Sequence, residues 1–173
     1  MQEIEAISIK LLTVNYMDMN QNNLPETLNI KKYQIVSGEE AIRIALRWLA
    51  VFCPSRTSFK GILRHKSYMW DLIDCHFQAK EAIEKFDQHQ APKYVLMEDC
   101  FGQDDKELYI IDEKPDNSDL QDFHVFPKNL AWNMAFTHED GWIGPNFTMN
   151  HDYEVLNRKN EKAMRALSGH YGK

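Results

Sequence analysis

Cysteine, glycine, proline and long apolar runs are all scarce in this chain, and each scarcity removes a class of protein. Cys53, Cys75 and Cys100 are odd in number and widely spaced, with no CxxC pair, which argues against a disulfide framework and a thiolate zinc site. No apolar stretch approaches the roughly 18 residues of a membrane span. The start, MQEIEAISIKLL, carries acids where an export signal has its basic region and lacks a small-residue cleavage site. The expectation is a soluble, reduced, cytoplasmic protein. GxxxxGK[ST], GxGxxG, GxSxG, HExxH and a papain-like cysteine pattern are missing too, so no cofactor or metal is expected and the enzyme reading loses weight.

What is present is enough for a core. The 173 residues are 43% hydrophobic and include four Trp, seven Tyr and nine Phe, punctuated by only seven Gly and six Pro. This fits one domain over 1–173, with residues 1–30 as the candidate for a loosely attached N-terminal segment.

Charge is distributed unevenly. The net charge is −6, yet ten acids between Glu98 and Asp122 face only Lys106 and Lys114, which leaves −8 in 25 residues and +2 in all the others. A field of this sign repels phosphate backbones and speeds encounter with a cationic surface. The bland alternative is a solvated acidic face. Arg56, Lys60 and Arg64 recur every four residues beside His65 and Lys66; a solvated helix face explains them better than nucleic acid does.

Periodicity divides the chain into helices first and strands second. Residues 4–19 read as a strand and Asn20–Asn29 as a loop. Tyr33–Val36 is a short strand, followed by Ser37-Gly-Glu-Glu40, the pattern of a capping box, and by a helix with Ile42, Ala45, Leu46, Leu49 and Phe52 inward that Pro54 stops. From Phe59 to Phe86 the spacing predicts two or three helices. Tyr94–Met97, Leu108–Ile111, Phe123–Phe126, Ala131–His138 and Trp142–Thr148 read as strands, and Asp152–Leu167 as a closing helix with Leu156, Ala163, Met164 and Leu167 inward. The fold class is therefore α+β: an N-terminal helical half, a mainly antiparallel sheet and a C-terminal helix.

The segment AWNMAFTHEDGWIGPNFT, residues 131–148, is the most informative. Asp140-Gly141 between two apolar runs predicts a type I′ hairpin that sets Met134 opposite Phe147 and Glu139 opposite Trp142. Alternation then puts Trp132, Met134, Phe136, His138, Ile143, Pro145 and Phe147 on a core face. Asn133, Ala135, Thr137, Glu139, Trp142, Gly144 and Asn146 fall on a polar one. Pro145 should end its strand or mark an edge. His138 and Glu139 point apart in this register, which disfavours a shared metal ion and leaves His138 as a core-rim histidine. Trp142 at the tip has the character of a protein anchor.

Phe126-Pro127-Lys128-Asn129, Trp132, Thr137-His138-Glu139, Trp142 and Gly144-Pro145-Asn146-Phe147 together carry a resemblance. They are similar to the C-terminal segment of a little-studied bacterial family of unknown function, close to F-P-K-N-x-x-W-T-x-x-x-T-H-E-x-x-W-x-G-P-Y-F. Asn133 and Asn146 depart from that pattern, and the similarity spans about residues 93–148. The resemblance implies a shared fold unit and no mechanism. Small acidic bacterial proteins of this kind are often encoded near toxins, which is an analogy and not a physical argument.

The first functional expectation is a cytoplasmic binding module, of the immunity-protein type, that grips a basic protein such as a toxin. Its partner-binding residues would be Asp99, Phe101, Asp104, Asp105, Asp116, Asp119, Glu139 and Trp142, with no part for nucleic acid or membrane. A second expectation is a small enzyme on the polar hairpin face (Asn133, Thr137, Glu139, Asn146) with His124 or His151 as base. The third is a structural domain without a ligand.

Overall fold

A computed structural model describes residues 24–56, 68–99, 107–115, 121–139 and 142–170 of the chain. Short apolar runs become seven strands: β1 (Tyr33–Val36), β2 (Phe77–Gln78), β3 (Tyr94–Glu98), β4 (Leu108–Ile111), β5 (Phe123–Pro127), β6 (Trp132–Phe136) and β7 (Asn146–Met149). They form one sheet in the order β1-β4-β3-β5-β6-β7-β2, with every neighbouring pair antiparallel. The helices are α1 (Leu24–Thr27), α2 (Gly38–Phe52), α3 (Ala79–Gln88) and α4 (Tyr153–His170), with a 3-10 turn at Met69–Leu72. The α+β class and the closing helix are as expected. Strands β1 and β2 sit at the sheet's two edges and α1 lies inside the expected loop 20–29. The expected strand 4–19 and most of the basic stripe after Arg56 lie outside the described residues.

The sheet is covered on both faces, so its central strands β3, β5 and β6 are buried along almost their whole length, His124 and Asn133 included. Along β3, Val95 and Met97 face α2 and the 3-10 turn, together with Leu108, Ile110 and Phe126. Tyr94 and Leu96 face the other way, toward Ala82, Phe86, Trp132, Met134, Phe136 and Phe147, with Leu24 of α1 and Leu156 of α4 at the margins. The predicted hairpin register holds: Met134 pairs with Phe147. Strand β7 starts directly after Pro145, which has no amide to give to a ladder.

Three local expectations are corrected. Ser37 does precede α2, but its side chain makes no capping hydrogen bond, so the capping box is not formed. Gly38 instead opens the helix at φ +60, a backbone conformation that costs glycine nothing. The buried face of α2 is Ala41, Ala45, Trp48, Leu49 and Phe52, whereas Ile42 and Leu46 are exposed. On α4, Leu167 is exposed, and the buried positions are held by Asn157 and Asn160.

Polar side chains tie the outer helices down. The Lys114 ammonium donates to the carbonyls of Phe86, Asp87 and His89 and lies over the Phe86 ring, so it supplies positive charge at the C-terminal end of α3. One of the two cations inside the acidic run is thus used internally. Between α3 and α4, His89 Nδ1 meets the Lys85 carbonyl and its Nε2 meets the Tyr153 hydroxyl at 2.5 Å. A carbonyl only accepts, so Nδ1 carries the proton and Nε2 accepts from Tyr153. Burial lowers the His89 pKa below 6.5, which keeps the acceptor available at neutral pH.

Candidate functional site

The segment that carries the motif residues organises two connected polar clusters, one buried and one at the surface. The buried one starts at Trp48 on α2, whose indole Nε1 donates to Asn133 Oδ1 at 2.9 Å. An indole can only donate, so the direction of every later bond is forced. Asn133 Nδ2 points to His124 Nδ1 at 3.3 Å, and His124 Nε2–H donates to Asp99 Oδ1 at 2.6 Å. Asp99 also accepts the backbone amides of Met69 at 2.8 Å and Trp70 at 2.9 Å. Three donors therefore converge on one carboxylate that is 1% exposed. They fasten the 3-10 turn to the sheet.

That turn delivers Tyr68 and Trp70 to the second cluster. Tyr68 stacks on Trp70 with ring centroids 5.3 Å apart and 12° between planes, and His138 lies 5.1 Å from Tyr68. Asp122 binds these parts together. It accepts the Trp70 indole at 2.9 Å, the His138 amide at 3.1 Å and His138 Nδ1 at 2.8 Å. The two clusters share a backbone bond, Asp99 N–H to the Asp122 carbonyl at 3.0 Å. The hydrogen bond to Asp122 raises the His138 pKa above 6.5; burial opposes it, and the Asp122, Glu139 and Asp99 charges add to the rise.

The sign of that shift gives a prediction. The protonated His138–Asp122 pair contributes its full stability below the ordinary value of 6.5, and the contribution disappears as pH rises through the raised folded value. Trp70 fluorescence should therefore titrate with a midpoint above 6.5, and His138→Gln should abolish the transition. A midpoint at or below 6.5 would contradict the assignment.

Beyond β6 the chain turns back sharply. The amides of Trp142 and Ile143 both donate to the Glu139 carbonyl, at 2.9 and 3.0 Å, and Thr137 Oγ1 donates to the Ile143 carbonyl at 2.6 Å. The reversal thus brackets Asp140-Gly141, which lie outside the described residues. Because β6 ends at Phe136, strand alternation no longer separates His138 from Glu139. Contrary to expectation, His138 Nε2 and Glu139 Oε1 come within 3.7 Å. Among the described residues no three metal-ligating side chains converge.

Of the expected partner-binding residues, Trp142 is 95% exposed and Glu139 is exposed beside it in the turn. Asp99 is corrected: it is buried and saturated with internal donors, so it cannot meet a partner. Phe101, Asp104, Asp105, Asp116 and Asp119 lie outside the described residues. Asp112 pairs with Lys93. The polar hairpin face imagined as an enzyme site is corrected as well. Asn133, Thr137 and Asn146 are buried, and His124 is enclosed with Asp99. His151 is an exposed neighbour of Asp152 at 3.0 Å. Tyr68, Trp70, Asp122 and His138 are the residues that sequence reasoning left out of the site. The advance signals were the Asp122 carboxylate within the acidic run and His138 within the Thr-His-Glu motif; Tyr68 and Trp70 had none.

Fold and site together describe an α+β protein with an aromatic-rich hairpin end. No protein-family model, curated protein or solved structure matches the chain. Among the described residues no helix is long and apolar enough to cross a membrane.

Proposed function

We propose that the protein is a cytoplasmic binding module that captures a basic protein partner through its hairpin end, as immunity proteins capture cationic toxins. The observation that carries this reading is Trp142. A side chain of that size left 95% exposed, on a turn held by three hydrogen bonds, gains nothing for the fold and is preorganised for contact. Ile143, also exposed, extends the apolar contact, and Glu139 adds negative charge in the same turn.

Charge steers the encounter. Asp104, Asp105, Asp116 and Asp119 act over a distance through the local −8 field, while the aromatic contact slows release. The test is affinity capture with the full chain at low and high salt, followed by kinetics on the purified partner. Reversing Asp104, Asp105 and Asp116 to lysine should lower the association rate by about tenfold or more at low salt and flatten its salt dependence. A partner whose binding ignores both salt and those reversals would refute the electrostatic half of the reading.

A further inference from the structure

A cleft on the opposite side of the charge balance lies between α2 and the β5–β6 turn. Its volume is about 460 Å³. Arg43, Arg47 and Lys128 stand around it, Ile44, Val95 and Leu130 give it an apolar lining, and Glu40 is the single acid among its lining residues. Arg43 and Arg47 are four residues apart on α2 and so share a face of the helix. Lys128 is presented by a tight turn, closed by Leu130 N–H to the Pro127 carbonyl at 2.8 Å, in which Leu130 takes φ +60 and turns its side chain into the core.

These cations are not needed by the fold. Arg43 meets Glu40 at 3.8 Å in an exposed pair that stabilises little. Arg47 and Lys128 make no hydrogen bond or ion pair among the described residues, and both are exposed. Three positive groups around an apolar cleft run against the −6 of the whole chain. Lys128 also belongs to the Phe-Pro-Lys-Asn run, to which the hairpin reading gives no role.

We propose that this cleft binds a small organic anion: a carboxylate or phosphate head group carried on an apolar stem. The two guanidinium groups offer planar forks that match oxyanion geometry, and the ammonium supplies a mobile point charge. The lining takes the stem, and the volume lies in the ordinary range for small-molecule sites. The inference is independent of partner capture at the hairpin.

The experiment titrates the full chain with phenyl phosphate, benzoate, inorganic phosphate and benzyl alcohol at low salt, followed by calorimetry and amide chemical shifts. Phenyl phosphate or benzoate should bind at least about tenfold more tightly than inorganic phosphate, and benzyl alcohol more weakly still; the tighter of the two aromatic anions identifies the head group. Arg47→Gln and Lys128→Gln alter exposed side chains, and each should weaken binding about tenfold. Ile44→Ser should weaken the stemmed anions and leave inorganic phosphate unchanged. Three results would overturn the proposal: no anion binding at about 10 mM, which leaves less than about 3 kcal/mol; full affinity in the Arg47→Gln/Lys128→Gln double variant; or equal affinity for benzyl alcohol.

Discussion

Replacing Asp99 with alanine is expected to destabilise the protein by about 3–5 kcal/mol, the usual consequence of removing one partner from a buried, hydrogen-bonded polar set. The substitution strands the Met69 amide, the Trp70 amide and the His124 Nε2–H in a dry interior. Each lost acceptor costs roughly 1–3 kcal/mol where water cannot replace it. Asp99→Asn keeps the shape but sets an amide NH₂ against donors, so an intermediate loss is expected. Asp112→Ala is the control. Its partner Lys93 is exposed, and such surface pairs contribute about 1 kcal/mol or less. Chemical denaturation measures all three, and amide exchange at Met69 and Trp70 reports whether the 3-10 turn comes loose. A loss below about 1 kcal/mol for Asp99→Ala would mean that the network does not hold the turn.

The second large effect is on binding and leaves the fold untouched. Trp142→Ala removes a side chain that buries almost nothing in the free protein, so the unfolding midpoint should stay where it is. Affinity for the captured partner should fall by about 2 kcal/mol or more, roughly 30-fold, almost entirely as faster dissociation. The acid reversals act on the association rate instead. A Trp142→Ala protein that binds with unchanged dissociation kinetics would remove the hairpin tip from the interface. Faster association in the acid reversals would remove the electrostatic steering.

Sequence patterns located most of the strands because apolar runs and alternation are local properties of the chain. Leu108–Ile111 was delimited to the residue, and the Asp-Gly pair placed Met134 against Phe147. They failed where two faces of one element were both plausible. On α2, Ile42 and Leu46 are as apolar as the residues that are buried. The sheet selects the other side because Ala41 and Ala45 are small enough for close packing and Trp48 finds Asn133 there. Hydropathy likewise assigned Asn133, Thr137 and Asn146 to solvent, yet all three are buried, Asn133 beneath Trp48 of α2.

Composition, spacing and charge by themselves determined the α+β class, most strand positions, the hairpin register and the concentration of acids after Met97, because each depends on residues close together in the chain. Tertiary structure alone decided that Asp99 is an internal anchor, that Asp122 gathers Trp70 and His138, and that Arg47 and Lys128 meet at one cleft. A carboxylate's role depends on which donors surround it. Those donors arrive from segments tens of residues away, so no local pattern in the chain could reveal them.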